Sequence, residues 1–253
     1  MTASVFGFQL RLLDRFELSF RERVIPVTAG PQRLVTFLAL HNRLLPRGHV
    51  AGMLWPEVPT DRASANLRAS IWRMPPNCRP VIELSLRHIQ LGANVTVDLI
   101  EAVSLAQRLL DSSKLCDEDD LSTDARSKLA CDLLPACYDD WALVECERFH
   151  QLRLHALEAL CERLTAAQRY GEAVDAGLSA VCAEPLRESA HRALIKAHIA
   201  EGNWAEARRQ YELYRRILRD ELGIEPTDSM GRLLLGIPVP AQAREHRQDR
   251  VLS

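Results

Sequence analysis

YDDWALVECERFHQLRLHALEALCERL (residues 138–164), RYGEAV (169–174) and EPLRESAHRALIKAHIAEGNWAEARRQYELYRRILRDELGIEP (184–226) carry two copies of one helix-hairpin pattern. Laying Tyr170 on Trp204, a shift of 34 residues, also lays Glu172 on Glu206, Ala173 on Ala207, Ala166 on Ala200 and Ala156 on Ala190. That is the tetratricopeptide period, in which an aromatic opens the second helix and small alanines let paired helices approach. One hairpin cannot cover its own apolar face. The pattern therefore predicts stacked helices that leave a surface for partners.

The chain around this repeat has 253 residues and 47% apolar residues, enough for one large or two ordinary domains with packed cores. No run approaches the roughly 18 apolar residues of a membrane span, and MTASVFGFQL has no secretion-signal pattern, so a cytoplasmic location without membrane contact is expected. Seven cysteines (78, 116, 131, 137, 146, 161 and 182) contain no C-x-x-C pair and read as reduced thiols on helical apolar faces. The net charge of −2 conceals an asymmetry. Residues 1–94 hold 12 Arg and 6 Asp+Glu (12 − 6 = +6), and the rest holds 20 Lys+Arg and 28 Asp+Glu (20 − 28 = −8). A basic front suits a polyanion, and the alternative is that the charges merely solvate two faces.

The front alternates with period two at Phe6, Phe8, Leu10 and Leu12, then at Phe16, Leu18 and Phe20, which predicts a small antiparallel sheet. Helices are expected over 31–42, 47–55 and 61–74, the last stopped by Pro75-Pro76. Strands over 81–84 and 88–91 then flank a turn at Ser85–Arg87. Sheet, three helices and hairpin make a winged helix-turn-helix. Beyond residue 95 helices are expected at 98–110, 124–134, through the repeat, and at 228–235, followed by a disordered tail from 236. The fold class is thus mainly α, with an α+β front over 1–94 and an all-α part over 95–235.

On a helical wheel, Ala63, Leu67, Ile71 and Met74 share one sector of the third helix and should face the core. The other side collects Arg62, Ala65, Ala69, Trp72 and Arg73, with Asn66 and Arg68 at its margins, and Ser70 joins the candidate contacts. This face has no acid after Asp61. Arginine reaches phosphate or the guanine O6/N7 edge, asparagine pairs with adenine, and alanine lets the backbone approach a groove. Trp72 has two readings, packing on a neighbour or an apolar contact to a thymine methyl or sugar. Arg87 and His88 stand at the hairpin tip, where an arginine suits a minor groove or phosphate. Arg47 opens the second helix, where backbone N–H groups assist phosphate binding, and Arg33 is a weaker instance.

The stretch 8–91, with GPQRLVTFLALHNRLLPRGHVAGMLWP (30–56) and ASANLRASIWRM (63–74), resembles the N-terminal OmpR-type domain of the Streptomyces antibiotic regulatory protein family. The repeat resembles that family's bacterial transcriptional activator domain. Pro75-Pro76 is a departure, since family members often continue the helix with further arginines. The resemblance implies that helix 61–74 enters the major groove of promoter direct repeats. It also implies a second copy bound side by side on DNA, contact with RNA polymerase and its sigma factor, and control of a secondary-metabolite gene cluster. A TPR-like adaptor that does not bind DNA, or a repressor on the same fold, are the other readings.

No phosphate-binding glycine loop and no metal-ligand spacing of histidines appears, so no cofactor, metal or enzymatic activity is expected. Asp139-Asp140 reads as a cap on the helix that follows.

Overall fold

A computed structural model describes residues 7–111, 113 and 116–235. Phe6 and the tail expected to be disordered lie outside the described residues. The chain forms two compact units, residues 1–106 with 131–153, and residues 107–130 with 154–253. The first unit thus takes in a segment well beyond the expected boundary at 94.

In the first unit, strands β1 (Phe8–Arg11), β2 (Glu17–Phe20) and β3 (Arg23–Val24) form the expected antiparallel meander. The turn into β3 places Arg21 and Glu22 both at positive φ (50° and 63°), the twist that a two-residue hairpin requires. Beyond the expectation, β7 (Val95–Val97) adds in parallel to β1, giving the order β3-β2-β1-β7. Alternate residues Phe8, Leu10, Leu12 and Leu18 are buried beneath this sheet.

Three helices follow: α1 (Ala29–His41), α2 (Arg47–Leu54) and α3 (Thr60–Trp72). Leu34, Phe37 and Leu38 of α1 and Val50, Ala51 and Leu54 of α2 meet Ala63 and Leu67 of α3 in one core. A short 3-10 segment, Pro76–Val81, leads into β5 (Ile82–Leu84) and β6 (His88–Leu91). The hairpin has a third strand that the sequence did not announce. This is β4 (Leu45–Pro46), paired with β6 through Leu45↔Ile89 and Pro46↔His88.

Asp98, at the start of α4 (Asp98–Leu110), accepts the backbone N–H groups of Leu12 (2.9 Å), Leu13 (3.2 Å) and Leu99 (2.8 Å). One carboxylate therefore closes the end of the sheet and caps a helix. Burial pushes its pKa up, and the three N–H donors oppose that shift. Residues 131–134 lie along the same edge, with Leu134 N–H donating to the Leu12 carbonyl at 3.0 Å. Arg33 of α1 grips Asp139 with two hydrogen bonds, 2.8 and 2.6 Å. Asp139 precedes α6 (Asp140–Ala166), whose backbone it caps through its own carbonyl, while its carboxylate is spent on Arg33. The capping expectation is corrected to that extent.

In the second unit, α5 (Thr123–Ala130) ends four residues before its expected stop. The repeat has the expected phase: α7 (Tyr170–Ala183) opens on Tyr170 and α9 (Trp204–Leu222) on Trp204, with α8 (Glu188–Glu201) between them. Ala156, Ala190, Ala173 and Ala207 are fully buried, as helix-helix contact requires. Ala166 and Ala200 are exposed at helix ends. Gly177 lets α7 approach closely, since a Cβ there would meet Leu194 Cβ at 3.1 Å and Cys161 Sγ at 3.3 Å. His191 is buried, stacked on Tyr214, and its Nε2 and Nδ1 meet Pro185 O and Gln210 Nε2, each at 2.9 Å. It is a satisfied core histidine. The short α10 (Asp228–Leu233) seats Met230 against Ile195, Tyr214 and Leu218.

No disulfide joins the described cysteines. Burial raises the Cys161 thiol to about 12 and the Cys146 thiol to about 11, which keeps both protonated. Among the described residues no helix is long and apolar enough to cross a membrane.

Candidate nucleic-acid interface

The outward side of α3 follows from its inward side. Ala63, Leu67 and Ser70 recur at i, i+4 and i+7 and are buried, so the residues between them face water. Arg62, Arg68 and Arg73 are exposed, and Asn66 and Ala69 half-exposed. Ser70 is a correction. It is only 2% exposed and sits against Gly30 of α1, so it belongs to the helix seat and not to the outward face. The wheel already put it one turn above Leu67, and its small polar side chain hid the core role.

Trp72 is 79% exposed, which removes the reading that it packs on α1. The helix stops at Trp72, two residues before the expected end. Arg73 caps it in a helical conformation, and Met74 turns inward, 3% exposed, ahead of the two prolines.

The hairpin forms the wing. Ser85 N–H donates to His88 O, and His88 N–H donates to Ser85 Oγ, both at 3.0 Å, which tightens the turn. Leu86 (91% exposed) and Arg87 form the tip. His88 is half-buried, because it pairs with Pro46 of β4, and stands back from the tip. The only acid of the wing strands, Glu83, accepts from Gln90 Nε2 (2.6 Å) and Ala93 N–H (3.0 Å). Those bonds, the backbone one first, hold its pKa below the usual carboxylate value.

β4 delivers the chain directly from the wing sheet into α2, so Arg47 and Arg87 become neighbours. Arg47 N–H donates to Arg87 O at 2.9 Å. That donor is therefore not free for a phosphate, which leaves only the guanidinium of Arg47 for the expected contact. Arg47, Arg68 and Trp72 line one cleft of about 400 Å³ together with Arg79. Sequence reading missed Arg79. Its only signal is a cation without an acidic neighbour in the Pro-Pro-Asn-Cys-Arg-Pro turn. Arg62, Asn66, Ala69, Arg73, Arg87 and His88 lie outside that cleft.

The arginines of this surface share one electrostatic feature. Among the described residues no carboxylate lies within salt-bridge distance of Arg47, Arg62, Arg68, Arg73, Arg79 or Arg87, whereas Arg33 is tied to Asp139 and Arg15 to Glu17. Arg33 is thereby withdrawn as a phosphate contact. In the second unit the arginines are mostly neutralised: Arg108 by Asp120, Arg187 by Glu158, and Arg169 by Glu118 and Glu172. Neutralising Arg108 and Arg187 internally leaves them little pull on an external anion. The front unit keeps its cations available. No cluster of potential metal ligands occurs among the described residues.

A winged helix whose third helix carries arginines without carboxylate partners, joined to a TPR-like helical repeat, is the architecture of a transcriptional regulator. The family described as the bacterial transcriptional activator domain matches residues 99–237, more than half of the chain, and the chain belongs to that family. With its winged-helix front it is a regulator of the Streptomyces antibiotic regulatory protein type. It is similar to the regulatory protein AfsR of Streptomyces coelicolor, 26% identical over 224 residues, which are 85% of this chain and 23% of that relative. The chain thus spans about a quarter of AfsR. A solved structure of Mycobacterium tuberculosis EmbR in complex with a low affinity phosphopeptide matches with a TM-score of 0.68 at 19% identity. That match covers 94% of this chain and 68% of EmbR, and concerns the fold.

Proposed function

We propose that this regulator binds direct repeats in promoter DNA through its winged-helix front, residues 1–94, and activates transcription through its helical part, residues 95–235. The observation that carries the reading is the set of six arginines without carboxylate partners on α3 and its C-cap, at the start of α2, on the 3-10 segment and on the wing. α3 enters the major groove, with Arg62, Asn66, Arg68, Ala69, Trp72 and Arg73 toward the bases and backbone. Arg47, Arg79 and Arg87 bind phosphates and supply salt-dependent affinity. Two copies lie side by side on the repeats, and the helical part meets RNA polymerase with its sigma factor. The target is a secondary-metabolite gene cluster in the regulator's own neighbourhood.

Footprinting across that neighbourhood tests the reading. Protected sites repeating at about one helical turn upstream of a −35 element support it. Protection over −10 and the transcription start points to a repressor. No protected site at low salt means a protein adaptor instead.

A further inference from the structure

The tip of the wing holds a side chain that the DNA contacts proposed above leave unused. Ile82, Leu84 and Leu86 alternate along β5 into the turn, and their exposure climbs from 6% to 49% to 91%. The apolar residues of the strand thus run out of the core and end in water. Leu86 and Arg87 are the two central residues of the turn that Ser85 N–H closes on His88 O. Turns take Gly, Asn, Asp, Ser or Pro for local conformational reasons, and leucine supplies none of them.

The tip is held in place. Besides the Ser85–His88 bonds, Arg87 O accepts Arg47 N–H at 2.9 Å, which ties the turn to the start of α2. Glu83 is engaged at the root of the hairpin by Gln90 Nε2 and Ala93 N–H. What the wing extends is therefore one branched apolar side chain beside one cation without a carboxylate partner.

On the DNA-binding reading above, on which this inference rests, that pair meets the minor groove beside the site of α3. Phosphates rim the groove and suit Arg87, but they offer nothing to a leucine. Thymine methyls lie in the major groove, so the apolar surface in reach of the tip is that of base faces and sugars. We infer that Leu86 enters the minor groove and wedges between two stacked base pairs, kinking the duplex while Arg87 holds the flanking phosphates. Apolar side chains of this size act as such wedges, and unstacking costs least at TA and CA/TG steps. Leu86 thereby sets a preference for a flexible step where no hydrogen bond reads a base.

Gel-shift electrophoresis of the full chain on circularly permuted fragments carrying the footprinted site measures the bend. The parent should bend its site by roughly 20–90°. Leu86→Ala should lose most of that bend and about tenfold in affinity. Its thermal unfolding should stay as in the parent, because the side chain leaves no core. Leu86→Met keeps an apolar wedge and should keep the bend. Replacing the TA or CA step at the kink by AA should weaken binding by the parent but not by Leu86→Ala. A retarded complex that is straight overturns the wedge and leaves the DNA-binding reading standing. So does a Leu86→Ala complex as bent as the parent's. Absence of any retarded complex at low salt overturns both.

Discussion

Arg47 N–H donates to the carbonyl of Arg87 at 2.9 Å, so the first residue of the second helix and the tip of the wing are held side by side. Two cations far apart in sequence are thereby brought together, and Arg68 of α3 and Arg79 share a cleft with Arg47. On the proposed function, Arg68 and Arg73 read bases, whereas Arg47 and Arg79 hold the backbone.

Arg68→Ala with Arg73→Ala tests base reading. Each change should cost about 1–3 kcal/mol of specific binding and relax the preference for operator over random DNA. Gel-shift titrations at fixed salt measure it. Unchanged affinity would mean that α3 is not the reading helix.

Arg47→Ala and Arg79→Ala should behave differently. Each should weaken binding about equally on operator and random sequence, and lower the slope of log K against log salt by about 1. A change in sequence preference without a change in slope would contradict the phosphate assignment. Trp72→Ala should lower affinity and leave the slope unmoved, because an apolar contact releases no counterion.

Gly177→Val should destabilise the helical unit by about 2 kcal/mol, through overpacking against Leu194 and Cys161. Denaturant titration of the full chain measures it, and a neutral effect would show that α7 and α8 can move apart freely.

His191 gives the helical unit a pH dependence. Burial lowers its pKa from 6.5, partly opposed by the bond to Pro185 O. The folded form therefore binds its proton less readily than the unfolded chain does. Its contribution is complete above about 6.5, and is lost as pH falls from there through the lowered folded value. His191→Gln should reduce the drop in thermal midpoint between pH 7 and pH 5. His198, lowered in the same way, is present in both proteins and cancels in the comparison.

Asp98→Ala should cost about 3 kcal/mol, since three backbone donors lose one acceptor. Asp98→Asn should recover part of this, because its carbonyl oxygen can still accept. Equal losses from both changes would show that charge, and not acceptor geometry, sets the effect.

What the chain determined by itself was local and periodic: the order of the elements and the phase of the repeat. Tyr170 and Trp204 start their helices because an in-phase repeat needs no distant partner to be read. The order of sheet, helices and hairpin was legible for the same reason, as was the polarity of α3 at Arg62, Arg68 and Arg73. Long-range pairing decided the rest. β4 is two residues and β7 three, too short to show a period, and each exists because β6 or β1 offers a free edge. Ser70 looked like a contact residue until Gly30, forty positions away, covered it. Arg33 looked available until Asp139 took two of its three guanidinium nitrogens. Arg79 joined the cleft only when the turn after Pro76 folded back beside α3. Sequence carries the identity of a charge, but whether that charge is spent inside the protein or left for a ligand is settled by which distant residue the fold sets against it.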